Sequence, residues 1–167
     1  KNTILLLDKE DISGGGTEIS GLVSKIAGCS KSLNKKAMQE KFNRYRSKRY
    51  IELDAETQIG AGLYFGHAYC ITINPKAILG RNINIHKGVT IGQENRGKRM
   101  GTPVIGDKVW IGVNATIVGA IKIGNDVLIA PNAYVNCDVP DHSIVFGNPC
   151  IIKHRDNATE GYINRTI

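Results

Sequence analysis

Four histidines are the side chains of this sequence that are best suited to proton transfer, because an imidazole gains or loses its proton close to neutral pH. We expect His142 and His154 to be solvated, since the first follows a proline in a turn and the second lies in a basic segment. His67 and His86 differ from these because each lies inside a regular sequence repeat. If the repeat brings the two imidazoles to one pocket, they are candidates for acid–base chemistry there.

The four cysteines do not indicate a metal site. They show neither the CxxC pattern nor the Cys/His spacing that zinc sites use, and no metal is expected. No signal peptide is recognisable in the sequence. We therefore expect free thiols and a cytoplasmic location. The cysteines are Cys29, Cys70, Cys137 and Cys150.

A six-residue repeat must position the histidines. Aliphatic residues recur every six positions from Ile73 to Ile91 and from Ile105 to Val135, and a second small or branched apolar residue follows almost every one of them four positions later. This period fits short strands joined by tight corners, with one aliphatic side chain of each strand pointing inward. Three six-residue sides make a triangular coil of 18 residues, and stacked coils pair their strands in parallel. The sequence predicts an all-β solenoid, a parallel β-helix of about four coils; the alternative is a β-sandwich with fortuitous spacing.

An interruption of the repeat determines where the two histidines lie. Two residues are inserted near residues 70–72, so that Phe65 and Ile85, which are 20 positions apart, begin hexads that are one coil apart. His67 and His86 are the third and second residues of these hexads. They should therefore lie on the same side of the solenoid. The alternative is a ladder of surface imidazoles without chemistry.

A second interruption predicts a long loop over residues 92–104. It lies between Ile91 and Ile105, where 14 positions separate residues that are six apart elsewhere. Its glycines and charges favour an excursion away from the coil, and excursions from a rigid solenoid commonly form binding sites. The alternative is an insertion without a role.

Residues 1–50 carry no hexads and are predicted to form a helical cap on the first coil. Helices are expected to start near Thr17 or Ser20 and again near residue 32, the second running to about residue 50. Residues 25–50 hold nine Lys or Arg and one Glu, a charge of +8, whereas the whole chain carries +7. The basic excess is therefore local, and we expect a solvated helix face rather than a nucleic-acid partner.

The β-helix is expected over residues 51–150, with the run from 141 to 150 leaving the regular coils. Residues 151–167 are expected to form a polar tail. Apolar residues make up 41% and charged residues 22% of the chain, which is typical of a soluble globular protein. The apolar runs are too short to cross a bilayer, so a membrane span is excluded.

The repeat resembles that of the hexapeptide-repeat acyltransferases. Several stretches are further similar to serine O-acetyltransferases and to related O-acetyltransferases that modify sugars. These stretches are IGAGLYFGHA (59–68), CITINP (70–75), VTIG (89–92), PVIG (103–106) and IVFGNP (144–149). The resemblance covers about residues 50–153. It implies a left-handed β-helix, a homotrimer with active sites between subunits, and acetyl transfer from acetyl-CoA to a small hydroxyl-bearing acceptor.

The resemblance also implies a catalytic dyad. His67 matches the general base that takes the proton from the acceptor hydroxyl, which then attacks the thioester directly. Glu52, 15 residues earlier, matches the carboxylate that fixes the imidazole tautomer and stabilises the imidazolium. The family usually has Asp at this position, and Asp54 is the alternative here.

Further positions match residues that bind the two substrates in this family. On the acceptor side, the candidates are His86, one coil from His67 on the same side, and Thr102 at the end of the loop. Arg96, with Lys98 or Arg99 as alternatives, is the candidate that replaces the family's contact with an acceptor carboxylate. The positions that match acetyl-CoA contacts are Val113, Ala130 and Pro131. Asn136 and Cys137 stand where related sugar acetyltransferases often have Thr-Lys, and Lys153, with Arg155 as the alternative, is the candidate that replaces this phosphate contact.

The acceptor side departs from the serine acetyltransferase pattern. Gly66 stands where that family usually has Asp, and Gly101 and Thr102 stand where it has an Arg-His pair. We expect an acetyl-CoA-dependent O-acetyltransferase whose first expected acceptor is serine. A sugar hydroxyl is the second hypothesis, and a non-catalytic trimeric β-helix scaffold is the third.

Overall fold

The computed structural model describes residues 32–164, 166 and 167, and the side chains from residue 39 onward. The helix predicted near Thr17 or Ser20 and the thiol of Cys29 lie outside these residues. The described chain forms one α-helix followed by fourteen short strands. The strands wind into a solenoid of three parallel sheets, which confirms the predicted fold class and excludes a sandwich.

Each of the first four coils contributes one strand to each sheet, and the second sheet continues with two further strands. The first sheet contains β1 (Gln58–Ile59), β4 (Ile78–Leu79), β7 (Val104–Ile105) and β10 (Lys122–Ile123). The second sheet contains β2 (Tyr64–Gly66), β5 (Asn84–His86), β8 (Val109–Ile111), β11 (Val127–Ile129), β13 (Ser143–Phe146) and β14 (Ile151–His154). The third sheet contains β3 (Thr72–Ile73), β6 (Thr90–Gly92), β9 (Thr116–Val118) and β12 (Tyr134–Val135).

The strand register confirms the spacing that the repeat predicts. Phe65 pairs with Ile85, 20 positions later, because of the two inserted residues. Val109 pairs with Val127, 18 positions later, in a coil without an insertion. Strands β6 and β9 pair 26 positions apart, because the loop after β6 adds eight residues to the coil.

The core is a column of aliphatic side chains that point into the solenoid. Both apolar positions of the hexad are buried, and full burial of one such side chain stabilises the fold by roughly 1.5–3 kcal/mol. The members of the first position are at most 3% exposed: Ile73, Leu79, Ile85, Ile91, Ile105, Ile111, Ile117, Ile123, Ile129 and Val135. Two small or branched apolar groups per side therefore fill most of the interior, and Phe65 is an aromatic residue at the first hexad position of an early coil.

The helix α1 (Ser32–Lys48) covers the first coil. Phe42 and Tyr45 are buried in the core cluster, and the Arg46 guanidinium donates a hydrogen bond of 3.1 Å to the backbone oxygen of Leu53. The predicted second helix is confirmed and ends two residues earlier than expected, whereas the cap over residues 1–50 as a whole stays a prediction. None of the helices in the described part of the chain is long and apolar enough to cross a membrane.

One corner of the solenoid brings successive coils into close backbone contact. It lies between the first and second sheets and carries Gly60, Gly80, Gly106 and Gly124 in consecutive coils. A Cβ atom on Gly60 would lie 2.6 Å from the carbonyl carbon of Gly80, and one on Gly80 would lie 2.6 Å from that of Gly106. Glycine is required there because the backbones leave no space for a side chain.

The C-terminal part of the chain differs from the prediction in two details. Five parallel strands stack in the second sheet, so the solenoid has about five coils rather than four. The run from 141 to 150 does not leave the coils at once, because β13 continues the second sheet with Ser143 paired to Val127. This last coil is only 16 positions long and lacks a full hexad. The antiparallel strand β14 then ends the stack.

We predict that Gly60→Ala lowers the free energy of unfolding by about 1–3 kcal/mol, because the methyl group overlaps the Gly80 backbone. Gly92→Ala is the matched control. Its methyl group would meet only side-chain carbons, the nearest of them 3.3 Å away on Val118, and its effect should stay within about 1 kcal/mol. Urea denaturation at one protein concentration measures both. Equal effects of the two substitutions would contradict the close approach at this corner.

Candidate active site

The corner that carries His67 is rebuilt by the two inserted residues. It joins β2, which ends at Gly66, to β3. The corresponding corners of later coils each have one residue with positive φ, namely Gly88 at 73°, Asn114 at 59° and Asn132 at 60°. The rebuilt corner has two, His67 at 54° and Cys70 at 50°. Non-glycine residues with positive φ recur at the corners of this solenoid, His142 among them, so the rebuilt corner differs from the others in holding two such residues.

His86 lies beside this corner, as the sequence predicts. It ends β5 and pairs with Gly66, and its ring centroid is 6.5 Å from that of His67. A Cβ atom on Gly66 would lie 2.5 Å from Cε1 and 2.6 Å from Nδ1 of His86. The His86 ring therefore occupies the space that a side chain at position 66 would need. His67 is exposed, whereas His86 is partly buried.

An aromatic stack that the sequence analysis did not identify covers His86. The ring centroid of Trp110 lies 4.7 Å from that of His86, and the ring of Tyr162 lies 4.9 Å from that of Trp110. Burial lowers the pKa of His86, and the neighbouring His67 lowers it further. The imidazole of His86 is therefore neutral at neutral pH and can both donate and accept a hydrogen bond.

The two candidate carboxylates lie close to this corner in sequence but differ in their contacts. Glu52 forms a parallel bridge with Thr72, the first residue after the rebuilt corner, and its side chain is exposed. The Asp54 carboxylate instead accepts a hydrogen bond of 2.8 Å from the backbone of Glu56 and caps a turn. Among the described residues, neither carboxylate has a hydrogen bond or ion pair with His67, so the dyad stays a prediction.

Three of the predicted acetyl-CoA positions continue the corner column of the histidines. Val113 occupies the same corner in the third coil, and Ala130 and Pro131 occupy it in the fourth. The backbone oxygen of Val113 accepts a hydrogen bond of 2.9 Å from Asn132, which ties the two coils together. With coils about 4.8 Å apart, the column from His67 to Pro131 is roughly 14 Å long.

The long loop lies where the strands of the third sheet end, whereas the His67 corner lies where they begin. It leaves β6 at Gly92 and forms a small hairpin in which Glu94 and Gly101 exchange two backbone hydrogen bonds. The hairpin, with a 3-10 turn at Gly97–Arg99, packs on the next coil, where the backbone of Ala120 donates to Arg99.

The predicted acceptor residues on this loop are not brought to the histidines within one chain. Arg96 is exposed in the hairpin. The Thr102 hydroxyl donates a hydrogen bond of 3.1 Å to the backbone oxygen of Lys76 and so fixes the base of the loop. Asn136 follows β12 at the same end of the third sheet. One chain thus presents two groups of candidate residues, at the two ends of this sheet.

Lys153 and Arg155, the cationic candidates for binding acetyl-CoA, belong to neither of these two groups. Lys153 is on β14 at the end of the second sheet, with its ammonium 5.8 Å from the ring centroid of Phe146. Arg155 follows it, and its backbone donates to the backbone of His142. In the part of the chain that the structure describes, no cluster of three or more His, Cys, Asp or Glu could hold a metal ion.

His142 is less solvated than the sequence predicts. Its side chain is 49% exposed, but Nδ1 lies 2.9 Å from the carboxylate of the buried Asp126. His154 is 70% exposed and lies 3.2 Å from Asp156, as expected for a solvated residue. No periodic signal in the sequence connects Asp126 with His142.

Comparison with known proteins agrees with the sequence resemblance. A family model described as bacterial transferase hexapeptide (six repeats) matches residues 102–137. A serine acetyltransferase from Staphylococcus aureus strain Mu50 is 37% identical over 113 residues, which are 66% of this chain and 52% of the relative. A serine acetyltransferase from Helicobacter pylori strain 26695 is 35% identical over 98 residues, 59% of this chain and 57% of the relative.

The fold is similar to that of a solved bacterial enzyme. The serine acetyltransferase from Neisseria gonorrhoeae, crystallised with serine, superposes with a TM-score of 0.63 at 31% identity and covers 80% of this chain and 54% of its own. The chain spans about half the length of these relatives. The resemblance to serine acetyltransferase-type hexapeptide acyltransferases is thus confirmed in sequence and in fold.

We predict that His86 titrates below its ordinary value of 6.5 and that His67→Gln raises this pKa without restoring it fully, because burial is the larger cause of the shift. NMR titration of the imidazole Cε1 protons measures this. Lys41→Gln is the control, since it removes an exposed charge on the helix α1 and should leave the titration unchanged. A midpoint at or above 6.5 in the unsubstituted protein would contradict the burial of His86.

Proposed function

We propose that this chain transfers an acetyl group from acetyl-CoA to a hydroxyl acceptor, with serine as the first candidate acceptor. The observation that carries the proposal is the rebuilt corner, which holds His67 in a positive-φ conformation, 6.5 Å from His86, at the start of the column that leads to Val113 and Pro131. The names of the relatives support acetyl transfer to serine. We place the reaction in the cytoplasm, where acetyl-CoA is available.

In this proposal His67 is the general base. A neutral hydroxyl is a poor nucleophile, so the imidazole accepts its proton while the oxygen attacks the thioester carbonyl carbon. The tetrahedral intermediate then breaks its carbon–sulfur bond. The thiolate of CoA leaves and takes the proton from the imidazolium. A carboxylate beside the imidazole stabilises its charged form, and Glu52 is our candidate for that role. General base catalysis contributes typically 10²–10⁴-fold.

We also propose that the working unit is a homotrimer. The histidine column and the loop lie at opposite ends of the third sheet, so one chain supplies two separate halves of a site. Neighbouring copies about a three-fold axis would place the loop of one subunit, with Arg96, against the His67 corner of the next. In this arrangement Asn136 would reach the acetyl-CoA column from the neighbouring chain.

A sugar hydroxyl is the second candidate acceptor, and the packing of His86 on Gly66 favours it. Recognition of a free amino acid requires an anionic partner for its ammonium group. A side chain at position 66 would overlap the His86 ring, so the family's usual aspartate has no room in this arrangement. The partly exposed Trp110 and Tyr162 instead offer aromatic surface beside His86, which suits the apolar face of a sugar ring.

Thiol release from acetyl-CoA, measured with serine and with a panel of sugars, tests the function and the acceptor together. We predict that His67→Asn lowers kcat by at least about 10² with every acceptor while the KM for acetyl-CoA stays unchanged. His86→Asn should raise mainly the KM for the acceptor. Lys41→Gln, an exposed position on α1, serves as the control for a change outside both candidate halves of the site.

The outcomes separate the hypotheses. Release with serine supports the first candidate, and release only with sugars supports the second. If His86→Asn abolishes turnover and His67→Asn only weakens it, the assigned roles are reversed. Absence of thiol release with every acceptor would leave the scaffold hypothesis.

We predict that replacing residues 92–104 by a plain hexad abolishes acetyl transfer and leaves the trimer intact, because the loop then no longer reaches the neighbouring subunit. Sedimentation measures the assembly and thiol release measures the activity. Cutting only the hairpin tip to two glycines between Glu94 and Gly101 removes Arg96 but keeps the base of the loop, and should raise the KM for the acceptor. A monomeric wild-type protein at micromolar concentration would contradict the shared site.

A further inference from the structure

After β14 the chain folds back along the solenoid. We call residues 155–164 the strap. Its path starts in the last coil, where Arg155 donates a backbone hydrogen bond of 2.7 Å to His142, and leads toward the histidine coils, where the side chain of Asn84 donates to the backbone oxygen of Tyr162. The backbone of Ile167 continues in this direction and donates to the side chain of Asn82.

A buried carboxylate holds the middle of the strap. Asp126 accepts hydrogen bonds from the backbone of Ala158 and from both the backbone and the hydroxyl of Thr159, at 2.9, 3.1 and 2.6 Å. The ring of His142 contacts the same carboxylate. Hydrogen bonds from Thr159, His142 and Ala158 outweigh desolvation and lower the pKa of Asp126 to about 2. The carboxylate is therefore ionised at neutral pH, when its hydrogen bonds to the strap are strongest.

Near its end, the strap contacts the aromatic stack over His86 through Tyr162. Tyr162 meets Trp110 edge-on with centroids 4.9 Å apart, and Trp110 in turn packs against His86 at 4.7 Å. On the opposite side, the backbone of Gly66 limits the movement of the imidazole. The orientation of His86 thus depends on a ring that belongs to the far end of the chain.

We propose that Tyr162 is a positioning residue for acetyl transfer, which acts through Trp110 to hold the His86 imidazole against Gly66 in the orientation that meets the acceptor. The inference rests on the proposed function of this site. Tyr162 contacts the stack and has no contact with His67, so its removal affects the acceptor side and spares the general base.

Two substitutions distinguish the role of the Tyr162 ring from that of its hydroxyl. Tyr162→Ser removes the ring, and we expect the KM for the accepted hydroxyl substrate to rise about three- to tenfold, the range that one aromatic contact supports. We expect kcat and the KM for acetyl-CoA to stay within about twofold of the unsubstituted enzyme. Tyr162→Phe keeps the ring and should behave like the unsubstituted enzyme. Asp126→Asn weakens the anchor and should shift the acceptor KM in the same direction as Tyr162→Ser.

NMR titration of His86 gives a readout that does not need activity. In the described part of the chain, the titratable groups in ring contact with His86, directly or through Trp110, are the imidazole of His67 and the phenol of Tyr162. Tyr162→Ser should raise the pKa of His86 toward 6.5, because the imidazole becomes more exposed, whereas Tyr162→Phe should leave it low. Ile151→Ser, an exposed apolar residue at the far end of the second sheet, controls for a general loss of apolar surface.

The proposal is overturned if Tyr162→Ser leaves both the acceptor KM and the His86 titration unchanged, or if it lowers kcat like a substitution of the base. It is also overturned if Tyr162→Phe is as defective as Tyr162→Ser. If no acceptor is acetylated, the proposed function fails, and an unchanged His86 titration in Tyr162→Ser still overturns the packing role.

Discussion

The close approach of successive backbones at the corners is the constraint on which the rest of this structure depends. Where Gly60 stacks on Gly80, no atom fits between the two coils, so each coil must follow the path of the coil below it. The strands then pair in a fixed parallel register, and equivalent positions line up in straight columns. A residue inserted within a strand of such a solenoid would disrupt the pairing with the neighbouring coils. The solenoid can change only at its corners, by adding residues that rebuild the whole turn.

Both candidate halves of the active site arise from such additions. Two inserted residues convert one corner into the support of His67, and eight inserted residues convert a corner at the other end of the third sheet into a hairpin. The unmodified corners above His67 keep their regular shape and extend the column through Val113 to Pro131. Rigid coils and modified corners therefore have different tasks, and the chemistry that we propose belongs to the corners.

The sequence alone predicts those features that repeat. The hexads predict the solenoid, the pairing of Phe65 with Ile85 and the proximity of the two histidines, because each depends only on counting positions along a regular coil. The last coil escapes prediction because it is shortened to 16 positions and β13 carries no full hexad. The contacts of Tyr162 with Trp110 escape it as well, since they join distant segments through single side chains that follow no period.

The ends of the stack have a consequence for how the protein behaves in concentrated solution. A parallel β-helix exposes unpaired peptide groups at each terminal coil, which invites another copy to add on and start a fibre. Here Phe42 and Tyr45 of α1 cover the first coil, and β14 reverses direction on the last one. A reversed strand does not offer the register that an incoming coil needs. The chain therefore carries its own barrier against end-to-end polymerisation at the two places where its architecture would otherwise permit unlimited growth.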